Sequence, residues 1–223
     1  MLIDIYYDLV CPWCYIGKKR MERALGERPS LRPSFRWMPF QLNPGMPRRG
    51  MDRRAYLSMK FGGEERAVQI YAVIAETARR DGLDIDLSNI ERTPNTLDAH
   101  RFVRYAADKG MEASDAVDRL FEVYFKDGKD IGDPEILAAA GEAMGLDRRA
   151  ILDHLASEED VNGVQKADAA ARRLGIQAVP CFVFERRYAL SGAQEPKAFG
   201  PMFDMADTIG IDQMAASRSS PPG

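Results

Sequence analysis

Histidine and cysteine are scarce in this sequence, neither sign of charge dominates, and long apolar runs are missing; each shortage removes a class of function. Lys and Arg number 31 against 34 Asp and Glu, a formal net charge of -3, so nothing electrostatic calls for DNA, RNA or an anionic membrane surface as partner. No apolar run approaches the roughly 20 residues that span a bilayer, and the N-terminus lacks a basic stretch followed by a long apolar one. The chain therefore reads as soluble and cytoplasmic. Three cysteines are an odd count, too few for the disulfide framework of a small secreted domain, which fits a reducing compartment.

The 223 residues, 45% of them hydrophobic, can bury a sizeable core and suit one large domain or one domain carrying a substantial insertion. The chemistry concentrates at CPWC, residues 11 to 14. Two cysteines so spaced can be a redox pair, half of a metal site, or buried packing. A metal site needs further ligands, and the chain supplies only Cys181, His100 and His154, none in CxxC or HxxxH spacing, so no metal is expected. Cysteines flanking a proline at a helix start are a poor packing device. Thiol chemistry is the reading that remains strongest.

Leu2 to Tyr7 reads as a short, half-buried strand, and Pro12 is well placed at a first helical position. In the helix that follows, Trp13, Ile16, Met21, Ala24 and Leu25 can gather on one side while Lys18, Lys19, Arg20 and Arg23 face water. Cys11 then lies at a helix N-terminus, where unsatisfied N–H groups and the macrodipole favour a thiolate. Cys14, one turn on, is placed to attack a mixed disulfide at Cys11 and to close a Cys11–Cys14 disulfide with little backbone movement. On this chemistry Cys11 attacks and Cys14 resolves.

Ser34 to Leu42 reads as a second strand, with Pro39 arguing for an edge or an irregular end. From about Glu64 to Leu174 nearly every segment reads as helix. Thr93-Pro94 and Asp133-Pro134 look like an N-cap followed by proline, and Ser157 with Asp160 resembles a capping box opening a helix over 158–174. VPCFVFERRYALSGAQ reads as two strands joined by a tight turn at Arg186 and Arg187, with a last helix from near Glu195 or Pro196. The order βαβ, helices, ββα implies one mixed sheet with the helices inserted into it.

CPWCYIG on a strand-to-helix turn, PNTLDAHR at 94 to 101, LGIQAVPCFVF and YALSGAQ together resemble the DsbA-like thioredoxin-fold family, in particular its FrnE-type branch. The resemblance implies an α/β, thioredoxin-like fold with an all-helical insertion domain: residues 1–44 and 175–213 form the discontinuous thioredoxin-like part, 45–174 the insertion, and 214–223 a disordered tail. It implies a thiol:disulfide oxidoreductase without a cofactor beyond its own redox-active disulfide, acting on disulfide- or thiol-containing proteins or small thiols, with glutathione as a conceivable co-substrate. Val179-Pro180 matches the family's cis-proline, whose preceding residue offers its backbone to an extended substrate. Pro12 and Trp13 would tune the redox potential, and the Trp13 indole would also give substrate an apolar platform or pack against the insertion. The related kappa-class glutathione transferases and 2-hydroxychromene-2-carboxylate isomerases offer an alternative function, but typically have Ser at the position of Cys11 and no resolving thiol. A non-catalytic chaperone or binding module is a third reading.

The sequence departs from the pattern at two places. Many relatives carry a buried acid six residues before the first cysteine; here Ile5 stands there, leaving Asp8 as the nearest proton acceptor for Cys14, against the alternative of a solvated charge or cap. Cys181 replaces the common Phe or Thr and reads as a small buried hydrophobe or a third redox thiol. His100 either projects over the redox pair or bonds within the helical part, and His154 reads as a surface residue. The stripe Ala67, Ile70, Tyr71, Ile74, Ala78 reads as core.

Overall fold

The computed structural model describes residues 1–218, with side-chain surroundings through residue 208. It begins β1 (Leu2–Tyr7), α1 (Pro12–Gly26), β2 (Ser34–Pro39). There follow β3 (Met51–Asp52), α2 (Arg53–Phe61), α3 (Glu64–Arg80), β4 (Arg92–Thr93), α4 (Leu97–Asp108), α5 (Ala113–Phe125), α6 (Pro134–Ala143), α7 (Arg148–Ala156) and α8 (Val161–Arg173). The chain closes with β5 (Cys181–Phe184), β6 (Tyr188–Ser191), a 3-10 turn at Pro196–Ala198 and α9 (Phe199–Arg218).

The first and last strands share one sheet in the order β2-β1-β5-β6, with β1 and β2 parallel and the β1–β5 and β5–β6 pairs antiparallel. Central β1 is covered on both faces, so all but its first residue is buried, more than a half-buried strand requires. Asp4 tolerates that place because Arg36, its register partner on β2, grips both carboxylate oxygens at 2.6 Å. On one side Ile3 and Ile5 join Met21, Phe182, Phe184, Phe199 and Phe203. Tyr6, Tyr7, both CPWC cysteines and the helical segment share the larger core. Edge strand β2 stops at Pro39 and does not reach Leu42, the end expected from the sequence, because a residue without an N–H cannot donate to the ladder. The β5–β6 turn centres on Glu185 (φ 48°) and Arg186 (φ 55°), both left-handed, one residue before the expected Arg186 and Arg187, and the Arg187 N–H closes it on the Phe184 carbonyl at 2.9 Å.

Several local expectations give way to tertiary contacts. The segment between the two halves of the sheet is not all helical: Met51 pairs with Thr93 and Asp52 with Arg92 in a ribbon too short to leave a periodic pattern. Thr93 is thereby committed to a strand, and the next helix starts at Leu97, whose N–H is taken by the Asn95 side chain at 2.9 Å. Asp133 does cap α6, accepting from the Glu135 N–H. No capping box forms at Ser157; its Oγ accepts from the Glu159 N–H, while Asp160 turns left-handed (φ 62°) and pairs with Arg104. The α1 cations are not all solvated, because Lys18 is 1% exposed between Glu22 and Asp118, and Arg20 is 7% exposed. Helix α9 runs to Arg218, into residues expected as a disordered tail; residues 219–223 of that tail lie outside the described residues.

Candidate active site

Residues 8 to 10 carry the chain from β1 to α1, and the Cys11 N–H donates to the Asp8 carbonyl at 3.1 Å. Cys11 occupies the N-cap with extended backbone (φ -93°, ψ 108°), and Pro12 is the first helical residue. The Cys11 carbonyl accepts the first helical bonds, from the Cys14 N–H at 3.0 Å and the Tyr15 N–H at 3.4 Å. Both thiols are buried, at 4% and 3% exposure, and neither they nor Cys181 is in a disulfide.

The second wall comes from the far end of the sequence. The Val179-Pro180 peptide is cis, and the Cys11 thiol points its hydrogen at the Val179 carbonyl oxygen, 3.6 Å away. The SGAQ turn clasps this loop through the Gly192 N–H on the Pro180 carbonyl (2.8 Å), and Arg20 reaches from α1 to the Ala193 carbonyl (2.8 Å). Gly17 allows the approach of helix and loop: a Cβ there would lie 2.8 Å from the Pro180 ring. Gly17 closes the CPWCYIG stretch, but its contact with the Pro180 ring leaves no signal there, and Arg20 is one basic residue in a basic run.

Burial pushes the Cys14 thiol well above the ordinary cysteine value, and its hydrogen bond and charge interaction with Cys11 and the negative charge of Asp8 push the same way. A hydrogen bond with the Asp8 backbone partly opposes this. Asp8 is no solvated loop residue, having 0% exposure. One carboxylate oxygen accepts from the Leu42 N–H at 2.7 Å, while the other has no hydrogen-bond partner and lies 3.6 Å from Nε2 of His100. His100, also 0% exposed, has both ring nitrogens unpaired and sets its ring edgewise on Tyr7 at 5.0 Å. Cys14, Asp8 and His100 thus form a buried titratable group behind the pair. His154 too is buried, against Tyr105 at 4.9 Å, where the sequence suggests a surface position. Cys181 is buried on β5 opposite Tyr6, and burial raises its thiol as well.

Among the described residues, no cluster of histidine, cysteine and acidic side chains could hold a metal ion. In front of Cys11 lies a cavity of about 260 Å³, walled by Pro12, Trp13 and Val179 on one side and by Arg53, Tyr56, Lys60, Ile70 and Tyr71 on the other. Trp13 is half-buried and serves both as cavity wall and as packing against the insertion. The α3 stripe is more than core: Ile70, Tyr71 and Ile74 line the cavity.

A cysteine at a helix start, with a second thiol one turn on, and a cis-proline loop opposite thus meet at one cavity mouth. The model of the DSBA-like thioredoxin domain matches residues 2–201. The chain belongs to the DSBA-like thioredoxin family. Within its relatives, the uncharacterized protein YwbO of Bacillus subtilis (strain 168) is 29% identical over 185 residues, 81% of this chain and 85% of that protein. A probable DsbA oxidoreductase of Streptomyces coelicolor superposes with a TM-score of 0.84 at 26% identity, covering 100% of this chain and 93% of its own. A 2-hydroxychromene-2-carboxylate isomerase shares the fold at a TM-score of 0.65 and 16% identity, covering 99% and 100%. Membership of the DSBA-like family points to a redox or isomerase enzyme.

Proposed function

We propose that this DSBA-like protein is a thiol:disulfide oxidoreductase working through a Cys11–Cys14 dithiol and disulfide on small thiols or thiol-bearing proteins, with glutathione as a co-substrate. The observation that carries the reading is the Cys11 thiol at the N-cap of α1, aimed at the Val179 carbonyl, with Cys14 one turn behind it. In the reducing direction the Cys11 thiolate attacks one sulfur of a substrate disulfide; a Cys11–substrate bond forms and the other sulfur leaves as thiolate. Cys14 then gives its proton to the Asp8–His100 pair and attacks the Cys11 sulfur. The second substrate thiol departs, two electrons have passed to the substrate, and the protein holds the Cys11–Cys14 disulfide. Oxidation of a dithiol is the reverse sequence. Val179 offers backbone groups for an extended substrate, and Pro12 and Trp13 shape the turn that sets the potential.

Equilibration in graded glutathione buffers, followed by alkylation and mass analysis of wild type and Cys14→Ser, tests this. A reversible intramolecular disulfide with one defined potential is expected in the wild type, and a glutathione adduct at Cys11 in the variant. An intramolecular disulfide that fails to form at every poise would remove the oxidoreductase reading in favour of single-thiol, glutathione-dependent chemistry.

A further inference from the structure

Four cationic side chains are buried among the described residues: Lys18, Arg20, Arg53 and Arg101. Three have carboxylates. Lys18 meets Glu22 and Asp118, Arg20 meets Asp81 and Glu195, and Arg101 meets Asp98 and four main-chain carbonyls. Arg53, 6% exposed, has only neutral hydroxyls: Thr93 at 3.1 Å, Tyr124 at 3.0 Å and Tyr71 at 2.7 Å. Its Nε has no partner. Burial raises the phenols of Tyr71 and Tyr124, so neither supplies a counter-charge at neutral pH. A buried guanidinium without an anion is costly, and a carboxylate or phosphate is what its planar donors fit.

Arg53 stands in the wall of the Cys11 cavity, whose lining holds a second cation, Lys60, and no Asp or Glu. Lys60 is exposed and donates only to the Tyr56 hydroxyl, at 2.6 Å. Arg53 also lines a cavity of about 870 Å³, but there it shares the wall with Arg54 and four carboxylates, Asp52, Glu64, Asp86 and Glu91, so an anion would meet net negative charge. The space in front of Cys11 is thus lined by two cations and no carboxylate, in a chain whose net charge is -3. Its volume of about 260 Å³ suits one half of a small disulfide.

We propose that the cavity beside Cys11 is a carboxylate-binding subsite, with Arg53 as its anion receptor and Lys60 at its rim, that selects small carboxylate-bearing thiols and their disulfides. The assignment rests on the oxidoreductase reading. A carboxylate on Arg53 holds the substrate while the Cys11 thiolate attacks its disulfide sulfur, expels the partner thiolate and forms the mixed disulfide that Cys14 resolves. Arg53 touches the substrate away from the reacting sulfurs, so it governs selection among disulfides.

The test mixes reduced protein with glutathione disulfide, hydroxyethyl disulfide and cystamine, dividing each rate of Cys11–Cys14 closure by that disulfide's rate with dithiothreitol. Wild type should favour glutathione disulfide over neutral hydroxyethyl disulfide by about tenfold or more, the scale of one charge-assisted hydrogen bond, with cationic cystamine last. Arg53→Met should bring the ratio near unity, and Arg53→Lys should keep part of it. A merely structural role would slow all three disulfides together and leave the ratio unchanged, overturning the proposal. Wild type alone gives a second readout: S-methylglutathione should compete and its dimethyl ester should not, and equal competition by both also overturns it. A preference seen only with a glutamate-flanked peptide disulfide, and not with glutathione disulfide, overturns the small-thiol assignment. If no disulfide is reduced at all, the oxidoreductase reading fails, and calorimetry with S-methylglutathione against wild type and Arg53→Met then decides the carboxylate site by itself.

Discussion

Cys14 is held as a thiol chiefly by burial, with Cys11 and the Asp8 charge acting in the same direction. Its folded-state value lies above that of an unfolded cysteine, so the thiolate needed for resolution grows with pH through neutrality and past the ordinary value of about 8.5. Closure of a preformed Cys11 mixed disulfide should therefore gain a thiolate-borne component that still rises with pH past that value, on top of the base-assisted route through Asp8, as stopped-flow measurements would record. The same shift makes the reduced fold lose stability as pH rises above the unfolded value, because the unfolded chain then releases its proton first. Asp8→Asn separates two roles for the carboxylate. If its charge only raised Cys14, removing it would speed closure near neutral pH. As the proton acceptor, its removal should instead slow closure by about a hundredfold, the lower range for general-base catalysis. Faster closure in Asp8→Asn would sink the acid–base assignment.

At the scale of elements, the site depends on how closely α1 approaches the loop before β5. Gly17 in the interior of α1 would ordinarily gain about 1 kcal/mol on replacement by Ala, from helix propensity alone. Its Cβ would meet the Pro180 ring at 2.8 Å and the Phe182 ring at 3.4 Å, and a proline ring cannot swing aside. Overpacking of this kind costs about 1–3 kcal/mol, so Gly17→Ala should be net destabilising in urea unfolding. A more stable variant would show that the loop yields, and that the contact does not set the spacing of Cys11 from Val179. Helix α3 has a double task as well: Ala67 and Ala78 are buried, while Tyr71 from the same face reaches Arg53 at the cavity wall.

Across the molecule, buried charges tie distant parts of the chain together. Arg20 on α1 bonds Asp81 at the end of α3 (2.7 Å), Glu195 after β6 (2.9 Å) and the Ala193 carbonyl (2.8 Å). It thus joins the first helix, the long helical segment and the turn that clasps the cis-proline loop. Truncating one member of a buried ion pair costs about 3–5 kcal/mol, with the exposed Arg23 beside Asp81 keeping the loss toward the lower value. Arg20→Ala should lower the thermal midpoint and quicken hydrogen exchange in residues 177–194, where a purely local effect would leave that loop protected. Asp168 on α8 makes a similar tie, accepting from the Gln41 N–H at 2.9 Å just beyond β2.

The sequence by itself determined what depends on neighbours along the chain. Proline at the start of α1 places Cys11 and Cys14 one turn apart, Asp133 caps α6, Pro39 ends β2, and the βαβ and ββα ends combine in one sheet. Tertiary structure decided what depends on residues far apart. Asp8 and His100 are separated by 92 positions in the sequence, and only the docking of α4 against the end of β1 makes them a buried pair. Lys18 and Arg20 look solvated within a run of basic residues until Asp118 and Asp81 arrive from other helices to receive them. Arg53 opens α2, ahead of the stretch from about Glu64 that reads as helix, and nothing in the sequence around it marks it out. Its lack of a carboxylate partner becomes visible only when α2, α3, α5 and β4 converge on it, because counter-charge is a property of the folded surroundings and leaves no period or spacing in the chain.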